Sequence, residues 1–511
     1  MDGSELARRA AGLTVGGLFR QVARFEGGRI AVEDERRRVS YVALNERVNR
    51  LAHALCATGV TRGERVAMLS ENCIEYLELE LAAAKLGAMV ACQNWRLAAD
   101  ELAYCINLAA PKVALVSERY AAGFAQLAHQ VPKTVLLGEP YERMLAAASA
   151  TEPPDIADPE DGLVILYTSG TTGLPKGAVI SQRAMIARGQ IGAIDRTTAP
   201  GDGFVAWAPL FHMVSTDQAL ATLLRGGKVV VMDGFNAERL VAVIAREPIG
   251  WLTLMPGMIE PVIAALQRSG ARPAGVKTLG CMADLVPRHQ IAEITTLLQA
   301  PYVNSFGSTE TGSPPASKGL IPIGAVPERL AKEQSSFCEI RLVDEDDRDV
   351  ADGEPGELAI RGPSLFSGYW RAPEVNAEDF RGGWFHMGDV FVRHADGTLD
   401  FVDRRKYLIK SGGENVYPAE IERLLLADPR IADAAVVRKT DPRWGEVPVA
   451  FVAKRDERLG AEEVVALCRG RIANYKLPKE IRFLAESELP RSTTGKIKRH
   501  ELEARLKGVT P

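Results

Sequence analysis

The sequence predicts an α/β protein: a large N-terminal domain of parallel and mixed sheets with helices, a β-rich subdomain at its end, and a small α+β domain at the C-terminus. Three observations predict it. Up to Glu339, short apolar runs alternate with longer amphipathic stretches, the order expected of βαβ units around parallel strands. From Glu339 to Phe401 the pattern changes to short strands between Gly-rich turns, and beyond Asp403 strand and helix patterns resume on a smaller scale. A chain of 511 residues also exceeds one ordinary domain.

Taken in order, RVAMLS, KVALVS and TVLLG read as strands, followed by GLVILY, GKVVVMDG, GWLTLMPG, VKTLGCM and PYVNSFG. YVALNERVNRLAHALCATG and AERLVAVIARE carry the helical period between them. EIRLVDEDD, GELAIRG and DGTLDFVD supply the β-rich subdomain. In VYPAEIERLLLADP, Pro418 occupies the first turn of a helix whose apolar residues follow at i, i+3 and i+4. VPVAFVAKR then reads as a strand and AEEVVALCRGRIA as a helix. The boundary is expected at Asp403 to Lys406, giving domains 1–403 and 404–511.

Composition excludes several classes. Basic residues number 62 and acidic ones 66, a net charge of −4, so no electrostatic footprint for nucleic acid is present. The cysteines at 56, 73, 92, 105, 281, 338 and 468 are scattered and form no C-x-x-C pair, which argues for reduced thiols and against a disulfide framework or zinc site. No signal-peptide core and no membrane-length apolar run is present, so a cytoplasmic protein without a transmembrane segment is expected.

The most informative stretch is YTSGTTGLPKGAVIS, Tyr167 to Ser181, directly after the strand GLVILY. Thr168, Ser169, Gly170, Thr171, Thr172 and Gly173 place hydroxyls and bare backbone in one loop, and Lys176 adds positive charge. Glycines allow close backbone approach, and successive N–H groups with hydroxyls can surround a polyphosphate. The Walker pattern G-x-x-x-x-G-K-[ST] is not satisfied.

With PLFH (Pro209 to His212), FGSTE (Phe306 to Glu310), GELAIRGPSLFSGYW, WFHMGD (Trp384 to Asp389), DRRKYLIKSGGENVYPAEIE and LPRSTTGKIKR in this order, the chain resembles the adenylate-forming (AMP-binding) enzymes. These include acyl-CoA and aryl-CoA synthetases, luciferases and the adenylation domains of peptide synthetases. The late spacing is similar to that of 4-chlorobenzoate:CoA ligase and its relatives, and the chain as a whole also resembles medium-chain acyl-CoA synthetases. The resemblance implies a two-step reaction. A carboxylate attacks the α-phosphorus of ATP to give acyl-AMP and pyrophosphate, and the thiol of coenzyme A then displaces AMP. Positioning and charge, more than covalent chemistry, carry such transfers.

The same resemblance assigns roles. Glu310 is the Mg²⁺ carboxylate, with Thr172 beside it, and Thr309 is the α-phosphate hydroxyl. Ser305, Phe306, Gly307 and Ser308 lie along the nucleotide. Asp389 accepts hydrogen bonds from the ribose hydroxyls, with Arg404 and Asn415 on the same side, and Lys496 bridges carboxylate and phosphate during adenylation. His212 lines or gates the acid pocket. Arg96, Gly412, Gly413, Trp444, Tyr475 and Lys479 are expected along the CoA path. Lys406 marks the hinge about which a mobile small domain turns between the two half-reactions, and Tyr407 departs from the acid common at the next position.

The acid pocket is expected among His212, Met213 and Val214, then Cys281, Met282 and Ala283, then Ser305, Phe306 and Gly307. This set is mostly apolar and holds no arginine or lysine to pair a second carboxylate, whose unpaired burial is costly. A hydrophobic monocarboxylate, aryl or medium-chain, is therefore the expected substrate. Asp284 is expected to face away, since neighbours on an extended chain alternate. The expected partners are a small carboxylic acid and CoA, with a homodimer left open. Loading of a carrier protein, a luciferase-like oxygenase and a non-catalytic AMP sensor are the alternatives.

Overall fold

A computed structural model describes residues 3–168, 174–412, 414–491 and 497–507, apart from the side chains of Glu5 and Leu285. By internal packing the chain forms two compact units. The first runs through Ile340 and includes Arg361–Gly383; the second comprises Arg341–Ile360 and the chain from Trp384 onward.

The first unit holds three principal sheets. The largest has the order Lys133–Leu136, Val113–Val116, Arg65–Leu69, Met89–Cys92, Gly162–Thr168, Lys176–Ser181. Its first five strands are parallel and the last is antiparallel. Val113–Val116 and Met89–Cys92 are buried at every residue, as expected of strands covered on both faces. The helix Ile74–Leu86 is likewise buried nearly all round and stops at Gly87, whose φ of 65° is left-handed.

A second sheet orders Arg38–Ser40, Ile30–Glu33, Val229–Val231 and Phe204–Ala206. The third orders Ile249–Leu252, Val276–Leu279, Tyr302–Val303 and Leu320–Ile321, the first three parallel. Because Val276–Leu279 and Tyr302–Val303 are parallel neighbours, Cys281–Ala283 and Ser305–Gly307 both follow carboxyl ends at one sheet edge. That edge is where α/β sheets bind ligands. PYVNSFG is split into two pieces: Phe306–Ser308 leaves the sheet and pairs with Gly312–Ala316 as a hairpin.

The second unit contains a sheet ordered Glu339–Val343, Pro355–Arg361, Phe385–Arg393 and Leu399–Arg404, its last three strands antiparallel. Another orders Glu414–Val416, Ile409–Ser411, Gly445–Lys454 and Ile431–Asp441, with Glu480–Phe483 parallel to Gly445–Lys454. The helix Pro418–Leu426 begins at Pro418 as its spacing predicts and buries Ile421 and Leu425 in this unit's core. The helix expected over AEEVVALCRGRIA is shorter, Ala461–Ala466. Beyond it the chain turns through Gly470, at a φ of 72°. All seven cysteines are free thiols, and no described helix is long and apolar enough to cross a membrane.

Candidate functional site

In the first unit, Thr168 and Lys176 are cross-strand partners flanking the candidate phosphate loop. Ser169, Gly170, Thr171, Thr172 and Gly173, between them, lie outside the described residues. Thr168 Oγ1 is buried with no hydrogen-bond partner among the described residues. Lys176 Nζ stands 4.0 Å from the centre of the Tyr369 ring and 3.8 Å from an Asp379 carboxylate oxygen. The Tyr369 hydroxyl donates to Glu310 Oε1 at 2.8 Å. One tyrosine thus connects the lysine of the phosphate loop to the candidate magnesium carboxylate. Burial raises the Asp379 carboxyl from its ordinary value, and Lys176 opposes that rise.

The FGSTE turn is shaped by its glycine and by a buried arginine. A Cβ on Gly307 would lie 1.9 Å from the Gly312 carbonyl oxygen, so only glycine permits this hairpin. Ser308 N–H donates to Thr311 Oγ1 at 3.0 Å. Arg188, 1% exposed, donates through Nη2 to the carbonyls of both Thr309 and Glu310 at 3.0 Å. It also reaches the Ser364 carbonyl through Nε at 2.9 Å and pairs with Asp217 at 3.2 Å. Burial lowers the Arg188 pKa and raises that of Asp217. Arg188 escaped the sequence reading, having no motif of its own; its helical neighbours Met185 and Ile191 are ordinary core residues.

His212 caps the helix Met213–Leu224, its Nδ1 accepting from Val214 N–H at 3.4 Å. Met213 packs against the core of the third sheet, and Val214 is buried. At the sheet edge, Ala283 N–H donates to Asn304 Oδ1 at 3.1 Å, and the Ser305 hydroxyl contacts Cys281 Sγ at 3.8 Å. Met282 and Phe306 flank these contacts, half-buried and buried respectively.

Two cations from outside this set are buried close to it. Lys332, fully buried, donates to Asp284 at 2.6 Å and to Asn304 Oδ1 at 2.9 Å, so Asp284 is the partner of a lysine beneath the strand ends. Arg196, also buried, donates to Ser313 Oγ at 3.1 Å and Gln218 Oε1 at 3.2 Å. Burial pushes its pKa down to about 10. Both cations come from segments remote in sequence from the pocket motifs, where no local pattern announces them. Arg96 sits 4.9 Å from the Trp95 ring centre and 5.9 Å from that of Phe211, next to His212.

In the second unit, Asp389 and Arg404 are cross-strand partners whose side chains form an ion pair at 2.9 Å, with the Asp389 side chain 2% exposed. Asn415 lies opposite Lys410 in the hairpin Ile409–Ser411 and Glu414–Val416. Lys406 is exposed in the turn Arg405–Tyr407, and its carbonyl accepts from Arg438 at 3.2 Å. Tyr407 receives the Arg499 guanidinium 4.3 Å from its ring centre, a cation–π contact that the more usual acid would replace by an ion pair.

Gly412 and Trp444 meet. Gly412 N–H donates to the Trp444 carbonyl at 2.7 Å, and a Cβ on Gly412, at a φ of 62°, would stand 2.8 Å from the indole. The indole remains 43% exposed and carries Arg443 at 4.7 Å. Tyr475 and Lys479 are exposed nearer Glu480–Phe483, and no hydrogen bond or ring contact joins them to Trp444 among the described residues. Gly413 and Lys496 lie outside the described residues. No cluster of three or more metal-ligating side chains occurs among the described residues.

Comparison with known proteins places the chain in a family. The sequence profile of the AMP-binding enzyme family matches residues 18–370, and that of the AMP-binding enzyme C-terminal domain matches 420–496. An indoleacetate–CoA ligase of Aromatoleum aromaticum is 36% identical over 493 residues, covering 94% of this chain and 96% of its own. A feruloyl-CoA synthase of an Amycolatopsis species is 34% identical, covering 92% of this chain and 94% of its own. The o-succinylbenzoate CoA synthetase of Bacillus subtilis, solved with its acyl-adenylate intermediate, superposes with a TM-score of 0.82 at 26% identity, over 95% of this chain and 97% of that one.

Proposed function

Because this chain belongs to the AMP-binding enzyme family, we propose that it is an ATP-dependent carboxylate–CoA ligase that activates an aryl or other hydrophobic acid as acyl-AMP and passes the acyl group to CoA. The observation that carries this reading is the link from Lys176 through Tyr369 to Glu310. It gathers a cation, a hydroxyl and a carboxylate around the turn fixed by Arg188. The named relatives act on indoleacetate, ferulate and o-succinylbenzoate, which favours an aromatic acid.

Adenylation builds charge on the α-phosphate and on the departing pyrophosphate. Lys176 and the phosphate loop would neutralise the β and γ groups, and the Thr309 hydroxyl would orient the α-phosphate. Lys496 would stabilise the charge shared between attacking carboxylate and phosphorus, the logic of an oxyanion hole. Mg²⁺ brought in with ATP would be held by Glu310 and Thr172 and would lower the charge of the phosphates. The buried Asp389 carboxylate, paired with Arg404, would accept from the ribose hydroxyls, with Asn415 nearby. His212 would line the acid pocket beside the reacting carboxylate.

For the second half-reaction, Gly412 with Gly413 would pass the pantetheine arm beside Trp444. Arg96, Tyr475 and Lys479 would meet the CoA nucleotide. The domain break at 403–404 concerns motion rather than packing, and we keep Lys406 as the hinge between domains 1–403 and 404–511. Free thiols at all seven cysteines suit a reducing cytoplasm. ATP–pyrophosphate exchange over a panel of acids, followed by thioester formation with CoA or with a carrier protein, tests the proposal. Exchange confined to acetate or to amino acids, or thioester formed only on a carrier protein, would overturn it.

A further inference from the structure

Arg196 caps the C-terminus of the helix Gln182–Asp195 and is 1% exposed. Its guanidinium lies 4.3 Å from the centre of the Trp251 ring and bonds to Ser313 and Gln218. Gly192, one turn earlier, makes the room, since a Cβ there would lie 2.2 Å from Nη2. All these partners are neutral. The nearby acids are engaged elsewhere: Asp217 pairs with Arg188, and Asp195 accepts from Ser336 N–H at 3.2 Å. Two donors at this spot, Arg196 Nε and Trp251 Nε1, are buried with no hydrogen-bond partner among the described residues. Such groups are costly unless something accepts from them.

The location gives that cost a purpose. Gln218 stands four residues beyond Val214 on the helix Met213–Leu224, on the same face one turn along. Ser313 belongs to the hairpin of Gly307, and its carbonyl oxygen lies 2.9 Å from where a Gly307 Cβ would be. Trp251 lies opposite Thr278 on the strand beside Val276–Leu279, which leads to Cys281–Ala283. Arg196 therefore touches the continuation of each of the three walls that carry the acid-pocket residues.

We propose that Arg196, backed by Trp251, Gln218 and Ser313, forms the far end of the acid site and selects acids carrying an oxygen acceptor remote from the reacting carboxylate, a second carboxylate being the strongest match. This rests on the reading of the chain as an acid-activating enzyme. A buried cation whose own Nε and whose neighbour Trp251 Nε1 are unused favours an anion over a neutral group. A site built to donate to a substrate oxygen rejects the analogue lacking it far more strongly than an apolar pocket rejects an extra group. Short diacids such as malonate would not reach; the selected acids carry the second group across a ring or a chain of comparable length.

The test is ATP–pyrophosphate exchange with 3-phenylpropanoate, 3-(4-hydroxyphenyl)propanoate and 3-(4-carboxyphenyl)propanoate. The native enzyme should prefer one or both oxygen-bearing acids to the plain one by about tenfold or more in kcat/KM. Arg196→Met should reduce that preference ratio by about 10²-fold, and Arg196→Lys should restore part of it. If Arg196→Met does not fold, Gln218→Leu and Ser313→Ala are read by the same ratio. Native preference for the plain acid, or a parallel loss with all three acids in every variant, overturns the role of Arg196. Absence of exchange with all three acids and with simple benzoates and alkanoates overturns the underlying reading of the enzyme.

Discussion

Replacing Arg188 by leucine should be among the most damaging single changes in the first unit. The guanidinium is fully buried and makes four polar contacts: the Asp217 carboxylate and the carbonyls of Thr309, Glu310 and Ser364. Removing one partner of a buried pair strands the other, which costs about 3–5 kcal/mol. The three carbonyls lose their donor as well, at about 1 kcal/mol or more each if they stay dry. Thermal unfolding should therefore fall by on the order of 10 °C. Exchange activity should fall by about 10² or more in the fraction that remains folded, because Thr309 and Glu310 lose the anchor that sets their turn. The double variant Arg188→Leu/Asp217→Leu separates the two effects. Leucine in place of Asp217 removes the stranded carboxylate, so much of the lost stability should return, since an apolar pair replaces a buried ion pair at little cost. Exchange should stay low, because the carbonyls of Thr309 and Glu310 are still unanchored. Recovery of both stability and exchange in the double variant would refute the positioning role, and a loss below about 1 kcal/mol in the single variant would refute the burial argument.

Three further outcomes are expected. Lys496→Ala should lose adenylation by about 10²–10³ while converting supplied acyl-AMP and CoA at close to the native rate; equal loss in both half-reactions would contradict its assignment. Gly412→Ala places a methyl 2.8 Å from the Trp444 indole at a φ of 62°, so it should raise the KM for CoA with exchange intact, and an unchanged KM would remove this pair from the CoA path. Glu80 is wholly buried, shares a 3.3 Å hydrogen bond with Thr216, and is held by burial well above its ordinary 4.5. A raised folded pKa means the bound proton stabilises the fold fully below pH 4.5 and that contribution is lost as pH rises toward the raised value. The melting temperature of Glu80→Gln should therefore gain on the native protein as pH rises above about 5, and a constant difference would show that Glu80 does not titrate with folding.

Much of the fold was legible because its causes are local. Val113–Val116 and Gly162–Thr168 are apolar runs that only a covered strand accommodates, and Pro418 starts a helix wherever the chain goes afterwards. The FGSTE turn was equally legible, since Gly307 is needed by the hairpin that its own neighbours make. What the tertiary structure alone decided is which distant charges serve those motifs. Arg188 reaches Thr309 and Glu310 across 121 and 122 positions, Lys332 reaches Asp284 across 48, and Arg196 reaches Ser313 across 117. A cation takes its meaning from what surrounds its head group after burial, and hydrophobic periodicity says nothing about that. So the order of motifs along the chain implied an acid-activating enzyme, while the cations buried against its FGSTE turn and hairpin became visible only when the helix Gln182–Asp195 was packed against the strands that follow it.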